Sequence, residues 1–382
     1  MAAEALSADE PMSGGPRRGG NGLPRDTIAL VIAWVVFFGI VVTLVSWLAI
    51  NADKTRAEWP VRVPMVILAL MGAEPAEPAP APEPPSASVA PVAAPAAPVA
   101  APEPPPPLPA MQRVALAPAP IPSMIEAGPH GPLPRVGPLG ERPFQIYAHP
   151  FEAMDDQPLI AVLVTGLGLE RAELSAALDR LPPEVSLAFS PYAPNLPELV
   201  GGAREHGHEV LLAVPMEPLE FPRVDPGPYT LLSSLSPAEN LDRLSWVLSR
   251  APGAIGVVAE EGGRFATSMR ALLPMMEVLS RRGLMVVDPR TAAGSVTGRV
   301  ARDLGVPRAL GTVAIAHDAN PRSIDQRLFD AEAVARGGGA ALVVVSVNEI
   351  AIDRVVRWTG LLPRRGIRLA PVSAIANRQP EP

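Results

Sequence analysis

The chain contains no cysteine, only 4% aromatic residues and only 19% charged residues across its 382 positions. Without cysteine there can be neither disulfide nor thiolate chemistry, a composition compatible with an oxidising envelope compartment. A net charge of -7 leaves no basic footprint for nucleic acid. A further absence concerns chemistry. The run Pro158 to Leu169, PLIAVLVTGLGL, is continuously apolar from Leu159 to Val164, as suits a parallel strand covered on both faces. At its carboxyl end, where α/β folds place reactive groups, it offers Thr165, Gly166, Leu167 and Gly168, with no carboxylate, histidine or cysteine.

What is abundant is proline, 50 residues, and its distribution divides the chain. Residues 1–26 are small, polar and rich in glycine and proline, the composition of a disordered tail. Residues 27–50, TIALVIAWVVFFGIVVTLVSWLAI, carry no charge. At helical rise they reach about 36 Å, enough to cross a hydrocarbon core of about 30 Å. A retained transmembrane helix is therefore expected, in preference to a cleaved signal peptide with its shorter apolar region. Arg17, Arg18 and Arg25 before the span balance Lys54, Arg56 and Arg62 after it, so charge does not orient it. The short tail and large C-terminal part favour a single-pass protein of the bacterial inner membrane with a periplasmic domain. Residues 51–154, dominated by alanine and proline from Glu74 to Pro138, read as an extended linker.

From Pro158 short apolar runs alternate with amphipathic segments. Strands are expected at Leu159 to Val164, Val185 to Phe189, Glu209 to Val214, Ile255 to Val258, Leu284 to Val287, Thr312 to Ile315, Ala341 to Val345 and Ile367 to Pro371. Ser236-Pro237-Ala238-Glu239 has the form of a capping box, and Asn320-Pro321 that of an N-cap followed by proline. Such alternation predicts an α/β domain over residues 155–378 with a parallel sheet, most simply closed as a barrel. His206-Gly207-His208 could be imagined as a metal pair, but structural use is the stronger reading. Gly166-Leu167-Gly168 reads as a turn, and Gly337-Gly338-Gly339 as a helix cap.

Between Leu159 and Ile375 the segments LPPEVSLAFSPYAPNLPELVGGAREHGHEVLLAVPMEP, DPGPYTLL, GGRFAT, VVDPRTAAGSV and GIRLAPVSAI occur in the order and spacing of a known family. The chain resembles the divergent polysaccharide deacetylases, bacterial envelope relatives of the NodB-type carbohydrate esterases. The resemblance implies a distorted (β/α) barrel of the glycoside hydrolase/deacetylase type, preceded here by one transmembrane helix and the Pro/Ala-rich linker. It also implies a metal-dependent deacetylation with a carboxylate base and a histidine acid. At the matching positions this sequence has Thr165 and Gly166 for an aspartate pair, Ala259 and Glu260 for an asparagine segment, Ala316 for an aspartate and Ser346 for a histidine. No metal or other cofactor is expected.

Glu217 in PMEP and Asp288 in VDPRT match family positions and are the remaining catalytic candidates. They could approach each other across the barrel mouth, or form loop-holding ion pairs with Arg264 and Arg290. Arg264, Arg290 and Glu260, beside Glu261, are candidates for ligand binding. Two functions remain open: a pseudoenzyme that binds cell-wall glycan or an envelope protein, and an active carbohydrate esterase or hydrolase, acting in carbohydrate metabolism through a rebuilt acidic site.

Overall fold

The computed structural model describes residues 114–379 apart from 155 and 156, together with Trp34, Phe38, Gly39 and Thr43. These last four are helical, but the rest of the expected span 27–50 lies outside the described residues, as do residues 1–26 and 51–113. Among the described residues no helix is long and apolar enough to cross a membrane.

A hairpin comes first, β1 (Ile125–Gly128) with β2 (Gly131–Pro134), followed by the short helix α1 (Pro143–Ile146). Strands and helices then alternate: β3 (Leu159–Leu167), α2 (Arg171–Arg180), β4 (Ser186–Phe189), α3 (Leu196–Glu205), β5 (Val210–Pro215) and α4 (Pro237–Ser249). The series continues through β6 (Gly256–Glu260), α5 (Met269–Arg282), β7 (Met285–Asp288), α6 (Thr297–Asp303), β8 (Arg308–Leu310) and β9 (Val313–Ile315). It ends with α7 (Pro321–Gly338), β10 (Ala340–Ser346), α8 (Glu349–Thr359) and β11 (Arg368–Ala370). All eight expected strands are present, and the three helix-end signals act as written. Ser236 and Glu239 close a reciprocal capping box, Asn320 Oδ1 accepts the Ser323 N–H at 2.9 Å, and Gly339 ends α7 at φ 79°.

Strands β3 to β11 form one parallel sheet in the order β8-β7-β6-β5-β4-β3-β10-β9, with β11 pairing the first three residues of β3. Its two edge strands, β8 and β9, are separated in sequence by only Gly311 and Thr312. Gly311 N–H donates to Asp288 O at 2.7 Å, and Thr312 N–H to Leu342 O at 2.9 Å. One short crossing therefore ties β7 to β10, so the sheet must curl until its edges nearly meet. A Cβ on Gly311 would lie 2.5 Å from Pro289 O, which is why a glycine makes the crossing.

Curling gives the sheet two faces with different cores, and strand alternation sorts residues between them. Ile160, Val162 and Val164 join the large outer core with Leu244, Leu272, Ile324 and Ile352 of the helices. Leu159, Ala161 and Leu163 join a smaller core with Leu211, Val258, Met285 and Leu342, which takes nothing from α2–α8 and fills the bore. The bore is plugged at the end where the strands begin by Met124, Tyr147, Val372 and Ile375.

This plug corrects the linker boundary expected at 154, because the chain from 114 onward packs on the barrel. Arg204, buried in α3, donates through Nε and Nη2 to Ala117 O and through Nη1 to Tyr147 O at 2.8 Å. The Tyr147 hydroxyl accepts the Ile121 N–H at 2.9 Å, and burial raises its pKa. The anchors for this segment belong to the barrel, so its own proline-rich composition does not announce them.

Candidate functional site at the barrel mouth

Strand alternation also decides what the open end of the bore presents. Leu163, Ala188, Val258 and Val344 face inward, so Thr165, Ser190, Glu260 and Ser346, each two residues further along, take the same face at the carboxyl ends. Thr165 and Ser346 are register partners on adjacent strands. On β9 the outward residues are Val313 and Ile315, which leaves Ala314 and Ala316 facing the mouth, both exposed. Solvent thus reaches the inner wall there. Gly166 adopts φ 82° within a register shift between Val164 and Leu167, a turn that a side chain would strain.

Glu260 is the only charged residue in that inward set. No described group hydrogen-bonds its carboxylate, which is only partly exposed. Burial, with the neighbouring Glu261 adding repulsion, pushes its pKa up to about 7. Glu261 itself is exposed and held at φ 55°.

Glu217 and Asp288 are both buried, and each is occupied by its own loop. The Glu217 carboxylate accepts the Ser233 N–H at 2.7 Å and the Ser233 hydroxyl, with Arg264 Nη1 at 3.6 Å from its other oxygen. Its carbonyl accepts from the Arg264 N–H at 2.9 Å, while Arg264 Nη2 donates to Leu219 O at 2.9 Å. Asp288 alternates with inward Val287 and shares the outward face with Val286. Its carboxylate accepts the Ser295 hydroxyl at 2.7 Å and the Arg290 N–H at 2.8 Å. The two carboxylates therefore serve different loops, one beyond β5 and one outside β7. Of the two expected ion pairs, the arginine side chain takes part in Glu217–Arg264, whereas Asp288 meets the backbone of Arg290. Ser233 and Ser295 were not singled out from sequence, since a serine far along the chain gives no local sign of its partner.

The donor set at the mouth does not suit a divalent ion. Thr165, Gly166, Ala316 and Ser346 supply two hydroxyls and no imidazole or carboxylate, whereas such sites draw about three charged or imidazole ligands. Among the described residues no three His, Cys, Asp or Glu side chains gather. His317, beside Ala316, has Nδ1 at 2.8 Å from Val347 O. His206 and His208 stand at the α3–β5 junction, each with Nδ1 at 2.8 Å from a backbone carbonyl, of Gly202 and Val185 respectively.

A family described as divergent polysaccharide deacetylase matches residues 162–376, more than half of the chain. The chain belongs to the divergent polysaccharide deacetylase family. A crystal structure of the uncharacterized protein ATU2773 from Agrobacterium tumefaciens C58 is similar at 35% identity and a TM-score of 0.62, covering 64% of this chain and 99% of that one. An uncharacterized protein of Haemophilus influenzae is 28% identical over 189 residues, 49% of this chain and 66% of its own. The uncharacterized protein YibQ of Escherichia coli K12 is 25% identical over 164 residues, 43% of this chain and 51% of its own. The chain thus spans between half and two thirds of the lengths of these two curated relatives. In this member of the divergent polysaccharide deacetylase family, Glu217 and Asp288 are both tethered within their own loops.

Proposed function

We propose that this divergent deacetylase is a membrane-tethered envelope protein whose barrel mouth recognises glycan without metal-dependent hydrolysis. The observation that carries the reading is the inward face at the strand ends, which Thr165, Ser190 and Ser346 share with Glu260, a carboxylate that no described donor engages, although Thr165 Oγ1 also reaches Val345 O at 3.4 Å and Ser190 Oγ accepts the Tyr192 N–H at 3.3 Å. Such a lining matches the hydroxyls of a sugar ring, with Glu260 able to accept from them or, when protonated, to donate. Glu217 and Asp288 are already hydrogen-bonded within their own loops, which supports a binding rather than a hydrolytic mouth. An envelope protein is the other partner class. The uncharged run 27–50 supports a single-pass inner-membrane anchor, with the barrel in the periplasm at the end of the proline-rich tract.

Calorimetric titration of the full chain with N-acetylglucosamine oligomers tests the recognition. Binding weakened by Thr165→Val and Ser346→Ala is the expected result. Stoichiometric metal together with acetate release that is lost in Glu217→Gln or Asp288→Asn would overturn it. The anchor fails if the mature N-terminus lies beyond Ile50, or if protease cannot reach the barrel in spheroplasts.

A second reading, a carbohydrate esterase or hydrolase with a rebuilt site, is favoured by Glu260 alone, since a carboxyl near 7 is poised for proton transfer. It forecasts a pH–rate inflection near the Glu260 pKa that disappears in Glu260→Gln.

A further inference from the structure

Outside the barrel, the turn after β7, helix α6 and strand β8 enclose a cleft of about 480 Å³. Arg290, Arg299, Arg302 and Arg308 line it, with Asp288 and Ser295 at its wall. Asp288 faces outward here, so this cleft and the barrel mouth lie on opposite faces of the sheet. Four guanidinium groups in one concavity run against the character of a chain whose net charge is -7. Their mutual repulsion is unfavourable unless an anion relieves it.

At Arg290 and Arg299 the local carboxylate does little to relieve it. Asp288 is only 4% exposed and is already engaged by Ser295 and by the Arg290 N–H. Arg302 lies 3.3 Å from Asp303, and Arg308 donates to Asn377 Oδ1 at 3.1 Å. Arg290 and Arg299 differ from both. They are exposed, and among the described residues no carboxylate comes within 4 Å of either guanidinium. Arg290 is also held at φ 57°, a conformation costly for a residue with a side chain, by the bond from its own N–H to Asp288. Backbone strain of this kind persists where the surrounding structure over-determines the local conformation, and it is found most often at functional sites.

We infer that this cleft binds the phosphoryl group of a phosphorylated polyhydroxylated ring, a sugar or an inositol, with Arg290 and Arg299 as its principal ligands. A planar guanidinium pairs two N–H donors with two phosphate oxygens, which a point charge cannot do. The volume is too large for a bare phosphate and falls in the range of small-molecule sites, leaving room for an attached ring. The phosphoryl group could belong to a soluble sugar phosphate or to a phosphoinositide headgroup, which share this chemistry. This site is separate from the glycan reading of the mouth and stands or falls independently of it.

The test is calorimetry on the full chain with three probes: glucose 1-phosphate, water-soluble dihexanoyl phosphatidylinositol and plain glucose. Both phosphorylated probes, or one of them, should bind, and whichever binds more tightly identifies the source. Glucose should not bind at this site. The double variant Arg290→Ala with Arg299→Ala should weaken binding at least about tenfold, the loss expected for removing charge-assisted pairs. Both side chains are exposed and repel their neighbours, so a melting temperature no lower than that of the unaltered chain is expected. Should that variant misfold, raising salt from about 50 to about 300 mM on the unaltered chain must weaken binding several-fold. No binding of either phosphorylated probe, glucose binding that the double variant weakens equally, or affinity indifferent to both the variant and salt would overturn the assignment.

Discussion

The two ends of the barrel each hold a glutamate on the inward register, Glu209 just before β5 and Glu260 at the top of β6, in opposite surroundings. Glu209 is fully buried and accepts four hydrogen bonds, from the Ser186 hydroxyl at 2.7 Å, the Ser373 N–H and hydroxyl at 3.0 and 2.6 Å, and the His149 N–H at 3.1 Å. Glu260 has no described donor and a pKa raised to about 7. Burial alone therefore says little about the role of a carboxylate. A buried carboxylate supplied with donors is a structural joint, while one left without them can meet a ligand or a proton. The closed end draws its donors from chain segments at both sides of the barrel sequence, whereas at the open end no described group donates to Glu260.

The severest way to break this contrast is to remove the plug. A chain beginning at 155 rather than 114 loses Met124, Leu133 and Tyr147 from its packing and leaves Arg204 buried without its carbonyl partners. A loss of at least about 5 kcal/mol in urea unfolding is expected, from uncovered apolar surface and an uncompensated buried charge. An unchanged midpoint would return residues 114–154 to the linker.

Glu209→Ala comes next. It strands several buried donors at once and should cost about 3–5 kcal/mol. A cost under about 1 kcal/mol would remove the distinction between the two glutamates.

Glu260→Gln should act in the opposite direction and only over part of the pH range. The folded carboxyl holds its proton up to about 7 against 4.5 for a free glutamate, so the fold loses stability as pH rises between those values and does not regain it above them. Glutamine carries no such penalty. The variant should be more stable at pH 8 by about 1–3 kcal/mol, with the gain gone near pH 4.5, as read from melting curves across pH. A gain independent of pH would mean that charge is not the cause.

The smallest expected effect is that of Asp288→Asn. It keeps one acceptor for Ser295 or the Arg290 N–H and should cost about 1 kcal/mol. A loss above about 3 kcal/mol would put Asp288 with Glu209 among the indispensable joints.

Much of the fold could be read in the residues themselves. Runs such as Leu159 to Val164 are apolar on both faces because both faces of the sheet are covered, and Ser236, Asn320 and Gly339 act within one helical turn of their own positions. Strand β8 was not foreseen, since Arg308–Leu310 is three residues long and its pattern is too short to show. The hairpin Ile125–Pro134 was hidden among prolines, and its stabilising partners lie in α4 and the barrel.

For the site, the sequence by itself determined which groups stand at the strand ends, and so that Thr165, Gly166, Ala316 and Ser346 bring neither carboxylate nor imidazole there. Alternation along β6 also fixes Glu260 inward once the strand is known to reach it, two residues past the expected end at Val258. Only the tertiary structure decided that Glu217 and Asp288 serve separate loops, that Asp288 faces outward beside a cluster of arginines, and that Glu209 is satisfied while Glu260 is not. The physical reason is reach. Strand alternation and helix capping act over a few residues, whereas a carboxylate takes its donors from whatever the closed sheet brings beside it, such as Ser373, 164 residues from Glu209.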